Sequence, residues 1–508
     1  MRAVWWLAGL ATVLLFAGAA TRHALHWSNL WDLGIFDQAL WLLSQGREPV
    51  VTTIGFHILG DHAAFILYPL ALAYRVWPDV HWLFALQAGA LALSSLPLAA
   101  LARQQGLDPR WTTAVCAAGL LYPAVFNVAM YDFHPECFAV PALLWALWAG
   151  QAGRHGHLAA AVVIALSTKE VMGLTVAGLG AFLWLRGTRR AGAAVGVAGL
   201  AWFGAATLWI IPHFTGHLPG AVGRYDWLLR APPLVIFERL FGLPTWIYLA
   251  LLLLPVAVGL RWRAAAYALP ALPLLLLNVL SAASEQRDLI HQYTVPIFPF
   301  LLAWLVASLA LGPPRRLKPA WLLIWSCAAF LALAKWGFFV TLYRSELATR
   351  PAERLAVRAA AGEGGVLAPS HLGSHMAHRE TIERIARDPA IDLAPYRYVI
   401  VNLRRPGWDS DVLTQELLLE RLLADPTRVR LFGQDGVYAF ARTQLARADA
   451  NSLTRVEFSH GQAQREGPRH PERRAPHSGR GVGLVTREAY LARLAAHPGL
   501  LRADGGNR

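Results

Sequence analysis

Apolar runs and short polar gaps alternate along most of this chain, and the runs are longer than a globular core needs. They fall near 3–20, 80–101, 111–130, 137–152, 157–168, 171–186, 191–212, 241–260, 264–282, 290–311 and 319–341. A helix crosses a bilayer with about 20 apolar residues. The pattern therefore predicts an all-α polytopic membrane protein with about eleven transmembrane helices. Runs 157–168 and 171–186 are short, and both outer ends are basic. They are expected to enter and return, meeting at Lys169-Glu170. Run 61–77 follows Asp61-His62 and is expected to lie along the interface, within a long first outer loop at 21–79. The first run ends in Ala17-Gly18-Ala19, which resembles a cleavage site, but it reads better as an uncleaved first span.

After Leu342 the period changes. Gly365 to Ala368 and Tyr398 to Leu403 read as buried strands, Asp411 to Ala424 has helical spacing, and Val429 to Phe440 reads as a hairpin turning at Asp435-Gly436. The expected organisation is a transmembrane domain over 1–341, a small extracytoplasmic α/β domain over 342–442, and a basic, disordered tail over 443–508.

Charge orients this layout. Arg103, Arg110, Arg154, Arg186, Arg189, Arg190, Arg261, Arg263, Arg315, Arg316 and Lys318 occupy one set of gaps. Asp32, Asp37, Asp61, Asp132, Glu136, Glu170, Asp226, Glu285 and Asp288 occupy the other. Short basic loops stay cytoplasmic. The N-terminus is then cytoplasmic, and the acids, most loop histidines and the small domain lie beyond the plasma (inner) membrane. Composition agrees: the 508 residues are 56% hydrophobic and only 15% charged. The formal net charge of +14 comes from cytoplasmic loops and the tail, so it does not imply nucleic acid. The three cysteines show no metal or disulfide spacing.

Five polar constellations interrupt the apolar pattern. Asp32 and Asp37 sit among bulky apolar residues, a setting that tunes a carboxylate toward base chemistry. About 140° apart if helical, they would not share a face. His57 and Asp61 would share one at i,i+4 spacing, with His62 beside them as an anion or metal contact. Asp132, His134 and Glu136 alternate in a stretch that Pro135 biases toward extension, so all three are expected to converge on a divalent metal, magnesium or manganese, or on a phosphate. Structural readings compete: caps, surface polarity and a polar hairpin. Lys169-Glu170 places a charge pair at membrane depth, where ionisable groups are costly and functional by default. His291 and Tyr293, with Arg224 and Tyr225 from the preceding outer segment, are expected substrate contacts. No GxxxxGK[ST], GxSxG or HExxH is present, which counts against ATP-driven transport and serine hydrolysis.

Taken together, DLGIFDQALW (32–41), DHAAFILYPL (61–70), DFHPE (132–136), KE (169–170), HQYTVPIFPF (291–300) and PSHLGSHMAHR (369–379) resemble the DUF2079 family of predicted membrane proteins, from about residue 10 to 442. Two departures stand out. Val171 follows Lys169-Glu170 where the family usually has an acid, and Ala63-Ala64-Phe65 follows His62 where it often has Phe-x-Pro. The family's layout is similar to GT-C glycosyltransferases, and that resemblance implies a membrane glycosyltransferase using a polyprenyl-phosphate sugar. It further implies Asp32 or Asp37 as the base, and Lys169, Arg224 and His62 as donor-phosphate contacts. Its partners would be the bilayer, the lipid-linked sugar and an acceptor of undetermined identity. The alternatives are a transporter with a buried charge relay, or a non-catalytic envelope-assembly protein.

Overall fold

The computed structural model describes residues 1–314, 317–339, 341–345 and 347–443. Arg315, Arg316 and the tail from 444 lie outside the described residues. The chain forms two compact units. Among the described residues, one comprises 1–28 with 35–345 and the other comprises 29–34 with 347–443.

In the first unit, every one of the apolar runs is helical. Five helices are long and apolar enough to cross a membrane: Arg2–Ala24, His81–Gln104, Arg189–Thr215, Pro233–Gly259 and Trp262–Leu280. Pro109–Leu120 and Pro123–Ala129 make a sixth candidate bent by 43°, where Pro123 cannot donate the hydrogen bond that would continue the first helix. The helices His155–Leu166, Met172–Leu185, Phe298–Ala310 and Pro319–Leu333 are apolar but shorter.

The run expected at the interface is two helices, Leu59–His62 and Leu67–Val76. Ala63 breaks them apart in the left-handed region (φ 49°). Ahead of them, a two-stranded ribbon, β1 (Val50–Val51) and β2 (Phe56–His57), folds the first loop back on itself.

Small residues set the closest helix approach. Between Met172–Leu185 and Arg189–Thr215, a Cβ added at Gly180 would lie 2.3 Å from the Gly196 nitrogen, and one at Gly192 would lie 2.5 Å from the Trp184 nitrogen. Backbones can meet this closely only where side chains are missing. This seam fixes the helix that begins just after Lys169-Glu170.

The second unit is a five-stranded sheet of order β4-β3-β5-β7-β6. Its strands are β3 (Val366–Ala368), β4 (Ile382–Arg384), β5 (Tyr398–Asn402), β6 (Arg428–Gln434) and β7 (Val437–Arg442). β3 pairs in parallel with β4 and β5; β7 is antiparallel to β5 and β6. All of β5 is buried because both faces are covered. Tyr398 and Ile400 join a cluster with Ala352 and Ala356 of the helix Arg350–Ala359. Val399 and Val401 join another with Leu418 and Leu422 of the helix Val412–Ala424. A sheet covered on both faces demands such a continuous apolar run. Asp435 (φ 52°) and Gly436 (φ 78°) turn the β6–β7 hairpin. The reading from pattern missed β4 and the helix Arg350–Ala359: β4 is only three residues long, and the helix is more polar than the runs around it.

Candidate functional site

The site starts from a turn. Between His155–Leu166 and Met172–Leu185 the chain carries Lys169 and Glu170, both buried. They are neighbours in sequence, but no ion pair joins them. Instead they pair outward. Lys169 Nζ donates to Glu136 Oε1 at 2.7 Å. Glu170 Oε2 lies 3.3 Å from His62 Nδ1. The backbone fastens the same elements: Glu170 N donates to His62 O at 3.2 Å, and Ile66 N to Ser167 O at 2.9 Å. Three motifs far apart in the chain thus form one charged cluster.

The cluster lines a pocket enclosing about 900 Å³, part of it open at the mouth. Arg224 and Tyr225, from the 3-10 segment Gly220–Leu229, and Tyr293, from the turn Gln292–Thr294, complete its polar side. Arg224 Nη1 donates to the Tyr293 hydroxyl at 3.2 Å. Its guanidinium lies 5.4 Å from the Tyr293 ring, and the Lys169 ammonium lies 5.9 Å from the same ring. One tyrosine therefore has a cation on each of two approaches. Among the described residues Arg224 has no carboxylate within 4.0 Å. Lys169 is held by an acid, whereas Arg224 keeps donors to offer. Met172, Phe203, Leu274 and Leu277 form apolar walls. A pocket that is cationic at one side and apolar along the rest suits an anionic amphiphile.

Several expected residues stand elsewhere. His57 is in β2 and Asp61 in the helix Leu59–His62, so they share no helical face. His57 stacks on Phe214, ring centroids 4.2 Å apart, and its Nδ1 accepts from Leu59 N. Asp61 lies 3.7 Å from His62 Nε2. His291 Nδ1 is 2.7 Å from Asp288 Oδ2, and neither residue lines the pocket.

Asp132, His134 and Glu136 do not form the expected metal triad. His134 is extended (φ −139°, ψ 128°), as Pro135 requires, but Pro135–Phe138 then winds into a 3-10 turn that carries Glu136 away. Asp132 has a positive φ of 127° and pairs with Arg22. Among the described residues no three His, Cys, Asp or Glu side chains are gathered to hold a metal ion. A cation held here would have to displace both Arg22 and Lys169, so the donor set does not fit a divalent metal.

The two candidate bases differ in setting. Asp37 lies in the helix Ile35–Ser44, is 3% exposed, and accepts from the Tyr74 hydroxyl at 2.7 Å. Asp32 belongs to the second unit, is half-buried, and accepts from Asn29 Nδ2 at 2.9 Å. Asp32 lies in the π-helical stretch Leu30–Gly34 and Asp37 in the α-helix Ile35–Ser44 that follows it in the chain. The pattern reading also missed Asn278, whose amide donates to Tyr293 O at 3.0 Å, and Gln292; both line the pocket. Asn278 had a signal, as an amide within the apolar run LPLLLLNVL.

The model of the predicted membrane protein family DUF2079 matches residues 22–427. This chain belongs to the DUF2079 family. Its membership covers every motif used above. No curated protein matches it in sequence. In fold, this DUF2079 protein is similar to ArnT from Cupriavidus metallidurans bound to undecaprenyl phosphate. The TM-score is 0.52 at 14% identity, with 86% of this chain and 97% of that chain covered. ArnT from the same organism in the apo state aligns at 14% identity with a TM-score of 0.47, covering 85% and 98%.

Proposed function

We propose that this protein is a GT-C-type membrane glycosyltransferase, transferring a sugar from a polyprenyl-phosphate donor to an acceptor hydroxyl on the extracytoplasmic face. The observation that carries the reading is the pocket in which Lys169 and Arg224 flank Tyr293 beside apolar walls. In the reaction an acceptor O–H loses its proton to a carboxylate, and its oxygen bonds to the anomeric carbon. The bond from that carbon to the phosphate oxygen breaks, and the electron pair leaves with the phosphate. Lys169 and Arg224 meet the charge that grows on that oxygen, and fixed cations in a dry site are effective there. His62 and Glu170 hold the turn that aims Lys169. Asp37, which belongs to the same unit as the pocket and accepts from the Tyr74 hydroxyl, is the proposed base. No step passes through a metal. The undecaprenyl phosphate of the similarly folded ArnT structure supports a polyprenyl carrier.

The test is transfer in proteoliposomes loaded with labelled polyprenyl-phosphate sugars. Asp37→Asn is expected to lower turnover by about 10²–10⁴-fold, the range for loss of a general base. If Asp37→Asn, Lys169→Met and Arg224→Gln all transfer at the wild-type rate, the glycosyltransferase reading fails. Vesicle counterflow without transfer would then favour the transporter.

A further inference from the structure

A second polar pocket, enclosing about 860 Å³ and sharing no residue with the first, is lined by Trp227, Val235, Glu238, Arg239 and Arg287 among others. Arg239 lies in the last turn of the helix Pro233–Phe241, and Arg287 ends the 3-10 turn Ser284–Arg287. Both reach the same atom: Arg239 Nε donates to Val279 O at 3.0 Å and Arg287 Nη1 at 3.5 Å. Arg239 also donates to Ser281 O. These carbonyls close the helix Leu272–Leu280, whose C-terminal end attracts cations.

That attraction explains why an arginine is there, but not why there are two. Each guanidinium carries five N–H donors, and among the described residues together they make only the three bonds just named. Neither has a buried side-chain nitrogen without a partner, so the remaining donors are accessible, and both side chains line the pocket. Among the described residues neither has a carboxylate within ion-pair distance, although Glu238 lines the same pocket and Glu285 is near in sequence. Two cations meeting at one oxygen repel unless an anion lies between them. Two guanidinium forks match the oxygens of a phosphate.

The surroundings indicate what carries that phosphate. The helix bearing Arg239 exposes Leu234 (67%), Phe237 (58%) and Phe241 (54%). Leu243 and Trp246, next along the chain, are also exposed. In a membrane protein such a face lies against acyl chains, and Trp227 beside the arginines is the residue type of the headgroup level. We propose that Arg239 and Arg287 form a binding site for the phosphate of an anionic phospholipid, distinct from the Lys169 pocket.

The experiment titrates the full-length protein in detergent with phosphatidylglycerol and phosphatidylcholine, counting bound lipid by native mass spectrometry. Phosphatidylglycerol should bind more tightly. At the surface value of one arginine, Arg287→Gln should weaken it about fivefold and Arg239→Gln/Arg287→Gln about thirtyfold. Arg287→Gln removes only a 3.5 Å contact and should keep the wild-type melting temperature, so it serves if the double variant does not fold. Arg224→Gln should leave phosphatidylglycerol binding unchanged, and millimolar inorganic phosphate should displace the lipid only in part. Equal affinity for the two lipids overturns the proposal. So does wild-type lipid affinity in Arg287→Gln, loss of binding in Arg224→Gln, or complete displacement by inorganic phosphate.

Discussion

Lys169 and Arg224 face one ring yet differ in how they are held, and that difference separates stability from chemistry. Lys169 is 5% exposed and bonded to Glu136, itself 3% exposed. Removing one partner of a buried pair leaves an uncompensated charge, at a cost of about 3–5 kcal/mol. Lys169→Met should therefore lower the thermal midpoint sharply. Lys169→Met/Glu136→Gln should recover most of that stability while donor binding stays lost. Recovery of transfer in the double variant would show that Lys169 acts only as a counter-ion. Arg224 has no carboxylate to strand, so Arg224→Gln should change stability by less than about 1 kcal/mol. It should nevertheless cut transfer by about 10²–10³-fold if it meets charge developing on phosphate. A melting curve beside a turnover measurement on each variant decides both points.

At the scale of elements, two features govern local stability. The glycine seam leaves no room between Met172–Leu185 and Arg189–Thr215, so Gly180→Val must push backbones apart and shift the turn carrying Lys169. Loss of donor binding with the fold retained is the expected signature, read by lipid titration against circular dichroism. In the second unit, burial pushes the Glu383 carboxyl up to about 7, partly opposed by the Arg384 amide and guanidinium. A folded pKa above the unfolded one means that the folded state holds the proton more tightly. The contribution is complete below the unfolded pKa, near 4.5, and is lost as pH rises through about 7. Chemical denaturation of the small domain should then show stability falling from pH 5 to pH 8 on account of this group, and Glu383→Gln should flatten the slope. Asp411 caps the helix Val412–Ala424 by accepting from Thr414 N at 2.7 Å. Asp411→Ala should cost the same domain about 1 kcal/mol.

At the scale of the whole molecule, the sidedness expected from the basic loops makes the remaining prediction. With Cys327 replaced by serine, a cysteine at Glu363 should react with an impermeant maleimide in intact cells, and one at Gly187 only after permeabilisation. The reverse pattern would place the proposed chemistry on the cytoplasmic side. What the sequence determined by itself is everything that depends on composition within one segment. Apolar length specified the helices, a continuous apolar run specified β5, and turn chemistry specified the β6–β7 hairpin. An ionisable pair in apolar surroundings marked Lys169 and Glu170, because such a pair at membrane depth is too costly to be incidental, while polar outer loops marked His62 and Arg224. Only the tertiary structure decided the pairings. Lys169 bypasses adjacent Glu170 for Glu136, Glu170 turns to His62, and Asp132 goes to Arg22. Neighbours at a tight turn diverge, and a buried charge takes the partner that packing brings within reach, so the partner's identity is carried by helix placement and not by distance along the chain.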